Sequence, residues 1–421
     1  MAILSTGPIE NNAVSDVRPT QQVTVKIDNR NSLDGSVVLV QGYNLTSTRT
    51  LYVSEQISID PDQVVTRTYF ANLDAFEFVF TVEGVAIEQT EISVWGKNET
   101  GQLVAAHRLV SSELEIEGDN TSVNRIYVAN FNSNDVSVIN GATNTVIATI
   151  PVGTNPAGID VNPLTSRIYV ANRSSNTISV INSITNAVIA SVPVGSEPSD
   201  VGVDIATNAI YTANFNSLDT TEDITVIDGL TNTVIDAITI PGLNFLTGVG
   251  VNSLTNRIYA ANFNSDTVSV VDGETNTVIA TIPVQVNPFR VGVNLATNRI
   301  YVSNLTSNTV SVIDGLTNTV IDTIPVGVTP AEVAVNTSTN AIYVPNRDTD
   351  NVSVISGLTN TVITTVPVGN NPNGAGANPL TNRVYISNQD DNTISVIDGE
   401  TNTVIATIPV GARPFAVGVN P

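Results

Sequence analysis

The run Pro288-Phe289-Arg290-Val291-Gly292-Val293 is followed by Arg299-Ile300-Tyr301-Val302-Ser303 and Thr309-Val310-Ser311-Val312-Ile313. Thr319-Val320-Ile321-Asp322-Thr323-Ile324 then ends on Pro325. Apolar residues recur every second position, the period at which side chains alternate between the two faces of a β-strand. The connections Asn294–Asn298 and Asp314–Asn318 supply Asn and Gly, which accept the positive φ of a tight turn. Pro325 cannot donate to a ladder and stops the last run. The unit therefore predicts four short antiparallel strands, A to D.

The same unit recurs along the chain. Its strand-B tyrosine stands at Tyr127, Tyr169, Tyr211, Tyr259, Tyr301, Tyr343 and Tyr385, spaced by 42, 42, 48, 42, 42 and 42 residues. The first repeat begins at strand B and lacks an A strand, whereas a surplus A strand, Phe415-Ala416-Val417-Gly418-Val419, ends the chain. Pairing the two removes the open edge an array would leave. The expectation is all-β: a seven-bladed propeller of four-stranded blades over 125–421, closed by the C-terminal strand.

Tyr127-Val128-Ala129-Asn130, Tyr301-Val302-Ser303-Asn304, Thr309-Val310-Ser311-Val312-Ile313-Asp314 and Thr319-Val320-Ile321-Asp322-Thr323-Ile324-Pro325-Val326-Gly327 carry a resemblance to the YVTN-type β-propeller repeat family. The resemblance covers about 119–421. It implies the propeller fold, and a location on a cell or spore surface.

The preceding residues lack the repeat. Residues 1–20 read as a polar tail, and 113–124 as an acidic linker. Between them, 21–112 hold seven alternating runs separated by Gly, Asn and Asp, which predicts a small β-sandwich. The single His107 lies there, too isolated for a multi-histidine metal site.

The formal net charge is −23, and Lys26 and Lys97 are the only lysines. A polyanion such as nucleic acid would be repelled rather than steered in. Cysteine is absent, which rules out disulfides, thiolate metal ligands and a cysteine nucleophile. The first residues carry no basic n-region or apolar core of a signal peptide, and no run is long enough to span a membrane.

Residues shared by all repeats serve the architecture, so residues that break the pattern are the functional candidates. Directly after the proline, strand A carries charge only as Asp200, Arg290 and Glu332, beside Phe289, Asn373 and Phe415. The third repeat has a longer B–C connection containing Asp219, Glu222 and Asp223. D–A and B–C connections share one face, so these residues define a candidate ligand or partner face. Its carboxylates suggest a hard cation such as Ca2+ as one possible ligand.

The monotony of the repeats predicts a non-enzymatic scaffold or binding protein, with a protein or carbohydrate partner. The N-terminal domain would present or assemble the propeller, in one version by adding the polar tail to a neighbour's sheet edge. The alternative is a lyase- or lactonase-like enzyme, with Asp200 and Glu332 as acid and base and Arg290 as oxyanion partner.

Overall fold

A computed structural model describes residues 124–215, 223–242 and 245–421, together with 2–5, 9–10, 20–29, 35–45, 49–71, 73, 75–84, 90–98, 103–109 and 115–116. The chain divides into two compact units, Met1–Thr121 and Ser122–Pro421. No α-helix occurs among the described residues.

In the first unit all seven predicted runs are strands, divided between two antiparallel sheets. Val64–Phe70, Gln22–Asn29, Thr90–Lys97 and Leu103–Leu109 form one sheet in that order. Ser36–Leu45, Arg49–Ile59 and Ala75–Gly84 belong to the other. Val25, Ile27, Val38, Val40, Phe78 and Phe80 share one core. Two departures from expectation appear. Ala2–Ser5 and Ile9–Glu10, inside the stretch read as a tail, both pair with Ala75–Gly84. Glu115–Ile116, inside the stretch read as a linker, pairs with Ser5 and Leu4. These segments are too short to announce themselves by alternation, and here the chain's own sheet uses them. The side chain of His107 lies outside the described residues.

The second unit contains seven four-stranded antiparallel sheets in a propeller-like arrangement. In six of them, strands A to D are consecutive in sequence. In the first sheet, Arg125–Asn130 pairs with Asp135–Asn140 on one side and with the C-terminal Pro414–Asn420 on the other.

The recurring motif has a physical account. Each strand-B tyrosine is buried between its own sheet and its neighbour. The Asn ending strand B turns inward, and its Nδ2 donates to a hydroxyl on strand C: Asn172 to Ser179 Oγ at 2.9 Å, Asn304 to Ser311 Oγ at 3.0 Å, Asn214 to Thr225 Oγ1 at 3.0 Å. Further Asn residues occupy left-handed turn positions, as at Asn298, Asn308 and Asn318. Neighbouring repeats are stapled where Asn294 Nδ2 donates to Asn340 Oδ1 at 2.8 Å and Asn378 Nδ2 to Asn124 Oδ1 at 3.1 Å.

The A strands of adjacent repeats lie close together. A methyl group on Gly292 would stand 2.5 Å from the Val333 carbonyl oxygen, a distance only glycine permits. Five of the seven A strands carry Gly at this fifth position. The sixth repeat has Ala334, and its A strand is reduced to Ala334–Asn336.

Candidate functional site

Strand A brings the three predicted charges together. Arg290, only 3% exposed, spans the channel between A strands. Its Nη2 donates to the Ser199 carbonyl at 3.1 Å, Nε lies 3.4 Å from Glu332 Oε2, and Nη1 lies 3.8 Å from Asp200 Oδ2. The last distance is too long for a hydrogen bond, and Nη1 is buried without an acceptor. Burial pushes the carboxyls of Asp200 and Glu332 above the usual range, against the pull of the Arg290 guanidinium.

A fourth charge, Asp160, was not among the sequence candidates. It occupies the fifth strand-A position, where the other repeats carry Gly or Ala. Its Oδ2 accepts from Val203 N of the next repeat at 2.8 Å, and its Oδ1 from Val161 N at 2.8 Å. Burial raises its pKa to about 7. Asp200 makes the same inter-repeat contact, accepting from Val249 N at 3.0 Å.

The aromatic candidates surround this cluster on the D–A and B–C face. Two guanidinium groups, those of Arg290 and Arg347, lie over the Phe289 ring, each 4.7 Å from its centre. Arg347 Nε donates to Asn373 Oδ1 at 2.8 Å, and Asn373 Nδ2 donates to the Phe415 carbonyl at 2.7 Å. Phe415 packs on Phe131 at 5.5 Å, and Arg413 covers Phe131. Phe215 packs on Phe245 at 4.9 Å beneath Arg173. Burial, with Arg290 and Arg413 nearby, lowers the Arg347 pKa to about 10.

All six phenylalanines of this unit therefore lie on one face. Of its nine arginines, five begin strand B at the opposite end; the other four, Arg173, Arg290, Arg347 and Arg413, join the phenylalanines. The D–A turns carry a further signal. Their left-handed residue is Asn in three repeats but Glu197, Phe245, Thr329 and Arg413 in the others. Left-handed backbone is costly for such residues, most of all for β-branched Thr.

The acidic B–C connections behave differently from expectation. Asp223 is buried, and its Oδ2 accepts from Ile240 N at 2.6 Å, so it closes its own blade instead of facing a ligand. Asp219 and Glu222 lie outside the described residues. Asp350 Oδ1 accepts from Asn371 N at 2.9 Å and Asp391 Oδ2 from Asn370 N at 2.7 Å, so these carboxylates cap turns. Among the described residues, no group of three or more carboxylate or imidazole side chains is placed to hold a metal ion.

No protein-family model matches the chain, and no curated protein sequence matches it. Solved structures do. A functionally unknown protein from Desulfotomaculum acetoxidans is similar with a TM-score of 0.61 at 15% identity, over 70% of this chain and 98% of that one. Kuenenia stuttgartiensis hydrazine synthase is similar with a TM-score of 0.56 at 17% identity, over 64% of this chain and 92% of that one. At such identities the likeness concerns fold alone: an all-β, propeller-like architecture.

Proposed function

We propose that residues 122–421 form a closed seven-bladed propeller of the YVTN-repeat type, acting as a non-enzymatic binding scaffold at a cell surface. Its D–A and B–C face receives a protein partner. The observation carrying this reading is the gathering of every phenylalanine and every arginine outside the repeat pattern onto that one face. Aromatic rings and arginines are the residues in which interface binding energy concentrates. Four turn residues hold left-handed backbone there without the usual Asn, a conformational cost that a specified surface would justify. Gln389, in register with the half-buried Arg173 and Arg347, is itself buried, and its Nε2 has no acceptor. The recurring Tyr and Asn are spent on packing and hydrogen bonds within and between sheets, leaving this face as the variable part.

A photo-crosslinking side chain placed at Phe263, on the mouth face, and separately at Leu316, on the opposite turn face, tests the reading in the native cell. A discrete crosslinked protein from the Phe263 position alone supports it. Equal crosslinking from both positions, or none from either, defeats it.

A further inference from the structure

On the mouth face, the first residue after strand B is matched with the left-handed residue of the D–A turn that follows it. The two stand 24 positions apart, except in the longer third repeat. Four repeats show them in contact. Asn155 Nδ2 donates to the Phe131 carbonyl at 2.9 Å, and Asn287 Nδ2 to the Phe263 carbonyl at 3.0 Å. Phe215 packs on Phe245, and Arg173 Nη2 pairs with Glu197 Oε2 at 2.9 Å. The second repeat thus places a cation and its counter-charge at the two matched positions.

The sixth and seventh repeats place a cation there without an acid. Arg347 is matched with Asn371, and Arg413 with Gln389. Neither guanidinium has a carboxylate partner among the described residues. Arg347 gives Nε and Nη2 to Asn373 Oδ1 and keeps Nη1, whereas Arg413 only covers the Phe131 ring. Asp348 and Glu332 attract Arg347 from beyond ion-pair distance, while Arg290 and Arg413 repel it. Arg347 is half-buried and Arg413 exposed, so a partner can reach both.

This arrangement selects an occupant. A partly desolvated cation without a counter-charge is stabilised by an anion, and guanidinium forks match carboxylates. The formal charge of −23 does not oppose this at short range, because exposed charges are screened beyond about 8 Å at physiological ionic strength. Acids nearby on the same face are engaged already: Asp350 and Asp391 accept turn amides. Guanidiniums lie over Phe289 and Phe131, so a sugar stacking on those rings would compete with arginine, whereas apolar side chains can pack at ring edges.

We infer that the partner of the mouth face docks through an acidic segment, its Asp or Glu carboxylates received by Arg347 and Arg413 and its apolar side chains by the neighbouring phenylalanines. The inference rests on reading that face as a protein-binding surface. The Arg173–Glu197 pair is the closed form of the same device, already satisfied within the chain.

The test uses the full chain and fluorescence anisotropy. The probes are a peptide alternating glutamate and leucine, its counterpart with glutamine for glutamate, and polygalacturonate. Asn371→Glu copies the closure made by Glu197, and Arg413→Gln removes an exposed cation; melting curves check that both fold. The acidic peptide is expected to bind in preference to the other two, with affinity falling about tenfold in each variant, the effect of losing one charged hydrogen bond. Equal binding of the glutamine peptide, preference for polygalacturonate, or unchanged affinity in both variants overturns the inference. Dimers of the unaltered chain that Arg413→Gln separates would make a second copy the occupant, and also overturn it. In cells, a Phe263 crosslink that survives in the double variant defeats the acidic segment and leaves the protein-binding reading standing. No Phe263 crosslink in the otherwise unaltered chain removes both.

Discussion

Asp160 Oδ2 accepts the backbone amide of Val203 at 2.8 Å, reaching from one repeat to the next through a position that glycine fills in five of the other six. The contact replaces a close backbone approach with a carboxyl bridge, and a buried carboxyl makes stability depend on pH.

Asp160 titrates near 7 when folded, against about 4 when unfolded. Between those values the folded state holds a proton that the unfolded state has released, so stability falls as pH rises through that window. Asp200 and Glu332 shift in the same direction. Calorimetry of the full chain is expected to show the repeat unit more stable at pH 5 than at pH 8. Asp160→Asn should remove on the order of 2 kcal/mol of that difference, after discounting ~1.4 kcal/mol per pH unit for partial exposure of the wall. A pH-independent difference between the two proteins would contradict this.

Arg290→Met strips the counter-charge from two buried carboxyls. Removing one partner of a buried ion pair costs about 3–5 kcal/mol. The loss should be larger at pH 8, where Glu332, whose pKa burial raises to about 7, is ionised, than at pH 5, where it takes up a proton. Urea unfolding at both pH values checks this, and Arg290→Met combined with Glu332→Gln should recover part of the loss at pH 8.

The fifth strand-A position predicts a graded glycine series. At Gly292 a methyl group would meet the Val333 carbonyl oxygen at 2.5 Å, and backbone cannot swing aside. At Gly418 it would meet Val161 Cγ2 at 3.2 Å and Ile159 Cγ1 at 3.3 Å, both on side chains that can yield. Gly292→Ala should cost about 1–3 kcal/mol, and Gly418→Ala clearly less. Thermal unfolding of the two variants side by side would show equal losses if the close approach is not what demands glycine.

Thr329 has φ 58° in a D–A turn where three other repeats carry Asn. Asn tolerates left-handed backbone far better than a β-branched residue, so Thr329→Asn should stabilise by about 1 kcal/mol. A rise in melting temperature accompanied by weaker crosslinking at Phe263 would tie the strain to the mouth's function. A fall in melting temperature would mean that the Thr329 hydroxyl bond to Asp348 outweighs the backbone cost.

Deleting Pro414–Asn420 exposes the whole inner edge of Arg125–Asn130. Size-exclusion chromatography should then show association or loss of the compact monomer peak, as unpaired edges do. A monomer with unchanged melting temperature would show that the pairing contributes nothing.

Much of the architecture is legible in the sequence because a repeat supplies its own comparison. Seven tyrosines, spaced by 42 residues except for one interval of 48, declare the strands, and the third strand-A position declares Asp200, Arg290 and Glu332. The same comparison two positions further on exposes Asp160, and one residue past strand B it exposes Phe131, Arg173, Phe215 and Arg347. What no pattern contains is distance. Arg290 reaches Asp200 two repeats away only because the A strands converge, and the missing acceptor at Nη1 is a product of that geometry. Asp223 misleads for the opposite reason: an acidic residue in a long connection looks solvated until its carboxylate is seen on the Ile240 amide.

The pairing of Arg125 with Asn420 also sets how the unit answers to force. The two strands are antiparallel, and the chain enters and leaves at the same end of the pair. Tension applied across the two ends of the unit would open this ladder one bond pair at a time, as a zipper, instead of shearing all of it together. The first sheet is thus its mechanical fuse, and pulling would release the C-terminal strand before disturbing the other six sheets.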